Sequence, residues 1–338
     1  MTDVAEILAV EFGLTVRAIE ANDEGIDRAA QRFRVYADGP LSDPRWYAVK
    51  WTSGGSVAGL LAPAALADSG VDGVAGPLRA RDGRPWTDQP ATVEPRRFSV
   101  VPWVGDHQAI EGGLNHPQWR AFGRLLAEVH EFQVPDALRA AIPAVTHDRE
   151  LAAVTRTDEL VASDRPDLDR DVAALWRDNR NRLLAAADAV PQLAAHIDPT
   201  VLCHADPHLG NVLAGSPGAS DADAVWLVDW DDAVLATPEQ DLMFVLGGTY
   251  GDEHIGERER DRFAAGYLGD ESATADDLRR AADATRLQYY RLVRALIDVA
   301  DLAAEALVPD TEPAWRATAS RLVAANLCPE GLLALSGY

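Results

Sequence analysis

The chain has 338 residues and 47% of them are apolar, which is enough for two sub-domains with sizeable cores. Its 31 basic and 54 acidic residues give a net charge of −23. This charge disfavours binding to nucleic acid or anionic membranes and attracts cationic small molecules, although solubility alone accounts for it equally well. No apolar run is as long as a membrane span, and the first residues lack the basic start of a secretory signal, so we expect a cytoplasmic protein.

The first part of the chain, up to about residue 105, is predicted to be mostly β-structure after one helix. Apolar residues at helical spacing predict that initial amphipathic helix: Val4, Ile7, Leu8, Val10 and Leu14. Alternation of apolar and polar residues predicts strands at 32–37 and 46–51. A third strand, at 97–104, is expected to run out into a connector.

From Pro117 onward the apolar residues follow a helical period. The first apolar stripe consists of Trp119, Phe122, Leu125, Leu126 and Val129. Further helices are predicted around residues 149–162, 169–194, 259–267, 275–307 and 313–327. The sequence Ser-Pro-Gly-Ala-Ser at 216–220 predicts the turn between two short strands. The expected fold is therefore α+β, with a small β-rich lobe and a large helical lobe.

Two short motifs carry the chemistry. Residues 204–211 are His-Ala-Asp-Pro-His-Leu-Gly-Asn after an apolar run, and Asp229 follows a second apolar run. Phosphoryl transfer requires one carboxylate that orients the attacking hydroxyl, and oxygen ligands for the Mg²⁺ ions that neutralise the phosphates. The spacing H-x-D-x-x-x-x-N with a later hydrophobic-Asp is that of the catalytic and metal loops of kinase-like folds. Each residue alone is more often a turn or cap residue, but the joint pattern predicts a kinase.

These motifs resemble those of the aminoglycoside phosphotransferase family. The likeness lies in residues 202–213, in Asp229-Trp230-Asp231 and in the following stretch 236–244, and within the family it is greatest to the spectinomycin phosphotransferases. The resemblance implies ATP-dependent, Mg²⁺-requiring transfer of the γ-phosphate to a hydroxyl of an antibiotic, spectinomycin or a related aminoglycoside, and hence antibiotic resistance. GTP is a possible second donor, because the family reads the purine through backbone groups.

The resemblance also implies a protein-kinase-like division of the chain. Residues 1–104 would form the nucleotide-binding lobe, with a hinge at about 100–104, and residues 105–338 would form the helical lobe with the catalytic loop, the metal loop and the acceptor site. The motif Ala-Val-Lys ending at Lys50 is similar to the strand that carries the phosphate-binding lysine of kinases. The following segment, 56–67, contains no acidic residue to pair with that lysine.

Three further residues are expected to contact the nucleotide. Gly25 lies where the phosphate loop should be, although the segment around it has one glycine instead of the usual three. Pro102 has no N–H, so the carbonyl of Val101 and the amide of Trp103 are the expected hinge pair for the adenine edge.

The resemblance assigns roles to the motif residues. Asp206 would orient the attacking hydroxyl, and Asn211 and Asp229 would ligate Mg²⁺. His204 belongs to the catalytic group and is expected to brace the loop more than to transfer protons.

A second group of residues is expected to contact the acceptor. It consists of His208, Asp231, Asp232 and Glu239. The carboxylates would attract an ammonium group of a cationic, hydroxyl-bearing antibiotic, although they could equally well only shape the turn.

Other functions fit parts of the same pattern. The set His204, Asp206, His208 and Asp229 also resembles the ligands of a metal-dependent hydrolase. A pseudokinase that binds nucleotide without turnover is suggested by the missing helix glutamate. Kinases of nucleoside or peptide antibiotics or of a metabolite alcohol remain open. A protein kinase is disfavoured, because only eight residues separate Asp229 from Pro238.

Overall fold

The computed structural model describes residues 2–21, 30–39, 42–89, 96–215, 222–247, 255–329 and 331–338. The chain divides into two compact units, Met1–Pro143 with His204–Val234, and Ala144–Cys203 with Leu235–Tyr338. The first unit thus extends beyond the lobe boundary predicted at residue 104 and includes both the catalytic and the metal loop.

The strands of the described residues are short in the second half of the chain. In chain order they are β1 (Thr15–Ala21), β2 (Ala30–Gly39), β3 (Ser42–Thr52), β4 (Thr87–Gln89), β5 (Arg96–Pro102), β6 (Val201–Cys203), β7 (Val212–Ala214), β8 (Val225–Leu227) and β9 (Val234–Ala236). Strands β1 to β5 form one antiparallel sheet with the order β1-β2-β3-β5-β4. The strands predicted at 32–37, 46–51 and 97–104 are β2, β3 and β5.

Helices dominate the rest of the described chain. In chain order they are α1 (Thr2–Phe12), α2 (Ala58–Asp68), α3 (Ala109–Gly112), α4 (His116–Glu131), α5 (Asp136–Arg139), α6 (Asp148–Ala162), α7 (Arg170–Ala194), α8 (Glu239–Leu246), α9 (Glu257–Leu268), α10 (Ala275–Ala281), α11 (Ala284–Leu307), α12 (Pro313–Leu327) and α13 (Leu332–Leu335). Together with the five-stranded sheet they confirm the predicted α+β class.

One face of the sheet forms the core of the first unit. Its buried side chains pack against α1, and the cluster includes Val35, Val49, Phe98 and Val100 from the strands and Val4, Leu8 and Phe12 from the helix. Successive side chains of a strand point to opposite faces. Arg34, Ala48 and Lys50 therefore lie on the face that does not pack on α1.

Two further predicted elements belong to the first unit, helix α4 and the hairpin of β7 and β8. Asn115 caps α4 in a capping box with Gln118, and the stripe predicted from Trp119 to Val129 is buried. Strands β7 and β8 form the predicted antiparallel hairpin, while its predicted turn at 216–220 lies outside the described residues.

The second unit is built around α11. This helix packs against α6, α7, α8, α12 and α13, and its buried face includes Leu292, Leu296, Val299 and Ala303. The single helix predicted at 275–307 is wrong, because the chain is extended at Ala282. The Asp283 carboxylate then accepts hydrogen bonds from the amides of Thr285 and Arg286 and starts α11.

Among the described residues, no helix combines the length and the apolar composition that crossing a membrane requires.

Candidate active site

The catalytic loop is held by backbone geometry and one amide side chain. Ala205 has φ 70°, a left-handed conformation that is uncommon for a residue with a Cβ and that turns the chain sharply before Asp206. The Nδ2 of Asn211 donates to the main-chain carbonyl of Asp206 at 2.9 Å and lies 3.3 Å from its Oδ2. Because Nδ2 faces Asp206, the Oδ1 of Asn211 is the atom available to a metal ion.

His204 connects the catalytic loop to the metal loop. Its ring is 0% exposed, its Nε2 lies 2.9 Å from the carbonyl oxygen of Val228, and its Nδ1 accepts from the amide of Asp206 at 3.3 Å. The ring also packs edge-on against the indole of Trp230. Both nitrogens are thus used within the protein, which removes His204 from the ligand set that a metal-dependent hydrolase would need.

His208 lies beside Asp206. Its Nδ1 accepts from the amide of Gly210 at 2.9 Å, so a neutral ring carries its proton on Nε2. That Nε2 lies 3.5 Å from Oδ2 of Asp206. Gly210 leaves the space for this arrangement, since a Cβ there would be 2.6 Å from the imidazole.

Asp229 begins the metal loop in an unusual environment. Its φ is 61°, again left-handed, and the residue as a whole is exposed to solvent, although its carboxyl lies among neighbouring protein atoms. Burial raises the pKa of the Asp229 carboxyl, and the neighbouring charge of Asp231 raises it further, while Lys50 and His204 lower it. Lys50 and Asp206 are therefore close enough to Asp229 for their charges to act on it.

Lys50 is paired with an acid of the metal loop. Its Nζ forms an ion pair and hydrogen bond with the carboxylate of Asp231, and the two side chains are 25% and 38% exposed. The acid that segment 56–67 lacks is thus supplied by a residue far along the chain. This contact differs from the acceptor contact that the sequence suggested for Asp231.

The other predicted acceptor residues lie in different surroundings. Asp232 is exposed in the same turn as Asp231. Glu239 belongs to the second unit, where it is 5% exposed and its Oε1 accepts from the amide of Asp283 at 3.0 Å. In this position Glu239 supports the start of α11.

Of the backbone groups predicted to contact the nucleotide, one is already hydrogen-bonded within the protein. Val101 lies opposite Ala48 in the β3–β5 ladder, and the amide of Trp103 donates to the carbonyl of Trp46 at 3.0 Å. Trp103 could donate to adenine only if that bond opened. Gly25 lies outside the described residues.

One cation near the site was not found from the sequence. The register of β2 and β3 places Arg32 directly opposite Lys50 on the same face of the sheet. Like charges directly opposite each other repel, and the carboxylate of Asp231 beside Lys50 offsets part of this repulsion. Alternation predicted both strands but could not fix their register, which is why Arg32 was missed.

The donors around Asp206 fit a divalent cation. Asn211 and Asp229 offer an amide and a carboxylate oxygen, which hard cations such as Mg²⁺ prefer. Desolvation of the Asp229 carboxyl raises its pKa, and the charges of Asp231 and Asp206 raise it further, so a bound cation would favour the ionised carboxylate.

Comparisons with known proteins show the family and the fold of the chain. The family model described as phosphotransferase enzyme family matches residues 64–282. No curated protein matches the chain by sequence. A crystal structure of spectinomycin phosphotransferase with ADP and spectinomycin is similar, with a TM-score of 0.76 and 23% identity, and the match covers 99% of this chain and 97% of that one.

Two other solved kinases are similar at lower identity. An amicoumacin kinase bound to AMP-PNP and Ca²⁺ has a TM-score of 0.60 and 16% identity, covering 96% of this chain and 92% of that one. A microcompartment-associated aminopropanol kinase has the same TM-score and identity, covering 99% and 96%. These likenesses confirm the predicted kinase-like fold. With the family model matching about two thirds of its length, the chain belongs to the phosphotransferase enzyme family.

Proposed function

We propose that the protein transfers the γ-phosphate of ATP to a hydroxyl group of a small-molecule antibiotic, in the first place spectinomycin or a related aminoglycoside. The observation that carries this proposal is the grouping of Asp206, Asn211, Asp229 and Lys50 within one unit. This set contains an acceptor-orienting carboxylate, two metal ligands and a phosphate-binding cation.

Two cations on one sheet face would bind the phosphates. Lys50 and Arg32 lie opposite each other there, and the loop around Gly25 would add backbone amides. The base would lie against the connector, with the carbonyl of Val101 as one proposed partner and the amide of Trp103 as the other once its bond to Trp46 opens. Because backbone groups would bind the purine, GTP is a second candidate donor.

Asn211 and Asp229 would hold Mg²⁺. When bound, this ion neutralises charge on the β- and γ-phosphates. The left-handed backbone at Asp229 directs its carboxylate. The hydrogen bond from Asn211 to Asp206 holds the catalytic loop together, and the amide of Val228 donates to the carbonyl of Asn211 at 3.0 Å and so joins the metal loop to it.

Asp206 would orient the acceptor hydroxyl. The new bond forms between the hydroxyl oxygen and the γ-phosphorus while the bond from that phosphorus to the β,γ-bridging oxygen breaks. The hydroxyl proton passes to the Asp206 carboxylate late in this step, because the transition state is loose and positioning contributes more than basicity. The Nε2–H of His208, 3.5 Å away, would fix the direction of that carboxylate.

His204 would act as a positioning residue. A ring that is fully buried touches no substrate, but its bond to Val228 holds the metal loop against the catalytic loop. Direct proton transfer by His204 is therefore not part of the proposal.

The acceptor is proposed to be small and cationic. Only eight residues separate Asp229 from Pro238, too few for a segment that would dock a peptide. The net charge of −23 favours the approach of an ammonium group. Asp232, exposed beside the metal loop, is the proposed contact to this group, whereas His208, Asp231 and Glu239 make the contacts described above.

An ADP-release assay tests the proposal. Purified protein with magnesium-ATP is offered spectinomycin, other aminoglycosides, nucleoside and peptide antibiotics, and choline-like and sugar alcohols. Release that depends on spectinomycin or an aminoglycoside supports the proposal. Release with only a metabolite alcohol contradicts the antibiotic assignment. Magnesium-dependent nucleotide binding without release for any acceptor would indicate a pseudokinase.

A further inference from the structure

The helix after Lys50 provides no nearby acid. α2 contains a single carboxylate, at its last residue, Asp68. That side chain is largely exposed and forms an ion pair with Arg79. Along almost its whole length, α2 therefore has nothing to offer the ammonium group of Lys50.

The acid comes instead from a much later part of the chain. Asp231 lies 181 residues after Lys50, in the short turn Trp230–Asp232 that follows the metal ligand Asp229. Its carboxylate accepts a charge-assisted hydrogen bond from the lysine. Both side chains are partly buried, so solvent screens this pair less than it screens a surface ion pair.

The helix is shaped to admit that turn. Gly59, in the first turn of α2, lies against the backbone of the metal loop: a Cβ on Gly59 would be 2.8 Å from the Cα of Asp231 and 3.0 Å from the carbonyl oxygen of Trp230. Gly55, just before the helix, has φ +78°, and a Cβ there would be 3.6 Å from Oδ2 of Asp231. Where α2 and the residues just before it meet this turn, they have glycine, and the turn carries the carboxylate.

We propose that Asp231 is a positioning residue that orients Lys50 toward the nucleotide phosphates, taking the place of an acid on α2, and that Gly59 is the site that makes this exchange possible. The inference rests on the proposed function, since it assigns Lys50 to phosphate. It adds a mechanical consequence. Lys50 is hydrogen-bonded to the segment that carries Asp229. The position of this one turn therefore determines the positions of both the phosphate-binding cation and a metal ligand.

A double-mutant cycle measured on nucleotide binding tests the inference. The affinity for magnesium-ADP is measured by calorimetry for the full-length protein, for Lys50→Met, for Asp231→Asn and for the double variant. If Asp231 acts through Lys50, each single variant binds roughly tenfold or more weakly, and the double variant binds no more weakly than Lys50→Met. Asp68→Asn makes the same change on the acid of α2 and should bind as the wild type does.

Several results would overturn the inference. Additive losses in the cycle, or wild-type affinity in Asp231→Asn, would show that Asp231 does not act through Lys50. A rise in acceptor KM on Asp231→Asn that persists when Lys50 is already Met would return Asp231 to the acceptor site. Asp231→Asn leaves the lysine without this partner and could unfold. In that case the comparison of Lys50→Met with the double variant, which lacks both charges, still requires equal affinities.

The same experiment separates this inference from the proposed function. Wild-type protein that fails to bind magnesium-ADP would contradict the phosphotransferase proposal and the inference together. Wild-type binding with an additive cycle would contradict the role of Asp231 alone.

Discussion

The side-chain amide of Asn211 donates to Asp206 at its main-chain carbonyl, 2.9 Å away, and lies 3.3 Å from its carboxylate. A residue proposed to bind metal thereby holds the residue proposed to orient the acceptor. Both residues lie in one short loop. Each can be replaced by substitution, and the effect of each replacement can be measured separately.

Replacement of the Asp206 carboxylate should affect the chemical step alone. Asp206→Asn keeps the size of the side chain and should lower kcat by about 10²–10⁴-fold, because the group that orients the hydroxyl loses its charge. The affinity for magnesium-ADP should stay within about twofold of wild type, since Asp206 faces the acceptor. Steady-state kinetics and calorimetry on the same preparation measure both. Near-wild-type turnover would remove Asp206 from the mechanism.

Replacement of Asp229 should stabilise the metal-free protein. Burial raises the pKa of this carboxyl, so the folded protein holds its proton more tightly than the unfolded chain does. The wild type therefore loses stability as the pH rises through the folded-state pKa. Asp229→Asn has no such proton to lose, and asparagine tolerates the left-handed backbone found there.

The expected result is a higher Tm for Asp229→Asn at neutral pH in the presence of a chelator, with a difference that shrinks as the pH falls. Magnesium and ADP should raise the Tm of the wild type and leave that of the variant nearly unchanged. A variant less stable than wild type at every pH would contradict this account of the carboxyl.

The contact between Gly59 and the metal loop should be sensitive to one methyl group. Alanine favours helix by about 1 kcal/mol over glycine. At Gly59 its Cβ would meet backbone atoms 2.8 to 3.0 Å away that cannot rotate aside. Overpacking should therefore prevail, and Gly59→Ala should lose about 1–3 kcal/mol in denaturant unfolding. Gly112→Ala is the matched control, because nothing lies within 4 Å of its Cβ, and it should be neutral or stabilising by up to about 1 kcal/mol.

The sequence was most informative where function depends on residues close together in the chain. Asp206 and Asn211 are five positions apart, so the motif alone predicted that they would act together. The acidic partner of Lys50 depends on a contact across 181 residues, and the sequence could only place it outside the following helix. Arg32 was missed because alternation gives the face of a strand without its register.

The connector shows a similar limit of sequence reasoning. The missing N–H of Pro102 correctly removed one donor, but the bond from Trp103 to Trp46 depends on where β3 ends. By contrast, the break at Asp283 was open to prediction, since aspartate before a helical stripe is a common N-cap.

Capture of the acceptor by charge should depend on salt. If an ammonium group is drawn to Asp232, the acceptor KM should rise as ionic strength increases to about 0.5 M, because the Debye length shortens. Asp232→Asn should raise the acceptor KM and weaken its salt dependence, with the KM for ATP little altered. An acceptor KM that does not change with ionic strength would contradict capture of a cationic acceptor by charge. It would leave the phosphotransferase proposal intact.

The central claim is that the γ-phosphate of ATP reaches a hydroxyl of an antibiotic with the help of Asp206. Incubation of the protein with γ-³²P-labelled ATP, magnesium and spectinomycin, followed by separation of the products, measures this transfer directly. We predict label in a phosphorylated spectinomycin formed by the wild type and almost none formed by Asp206→Asn. Label that appears only as inorganic phosphate, or that reaches the antibiotic equally well with Asp206→Asn, would contradict the claim.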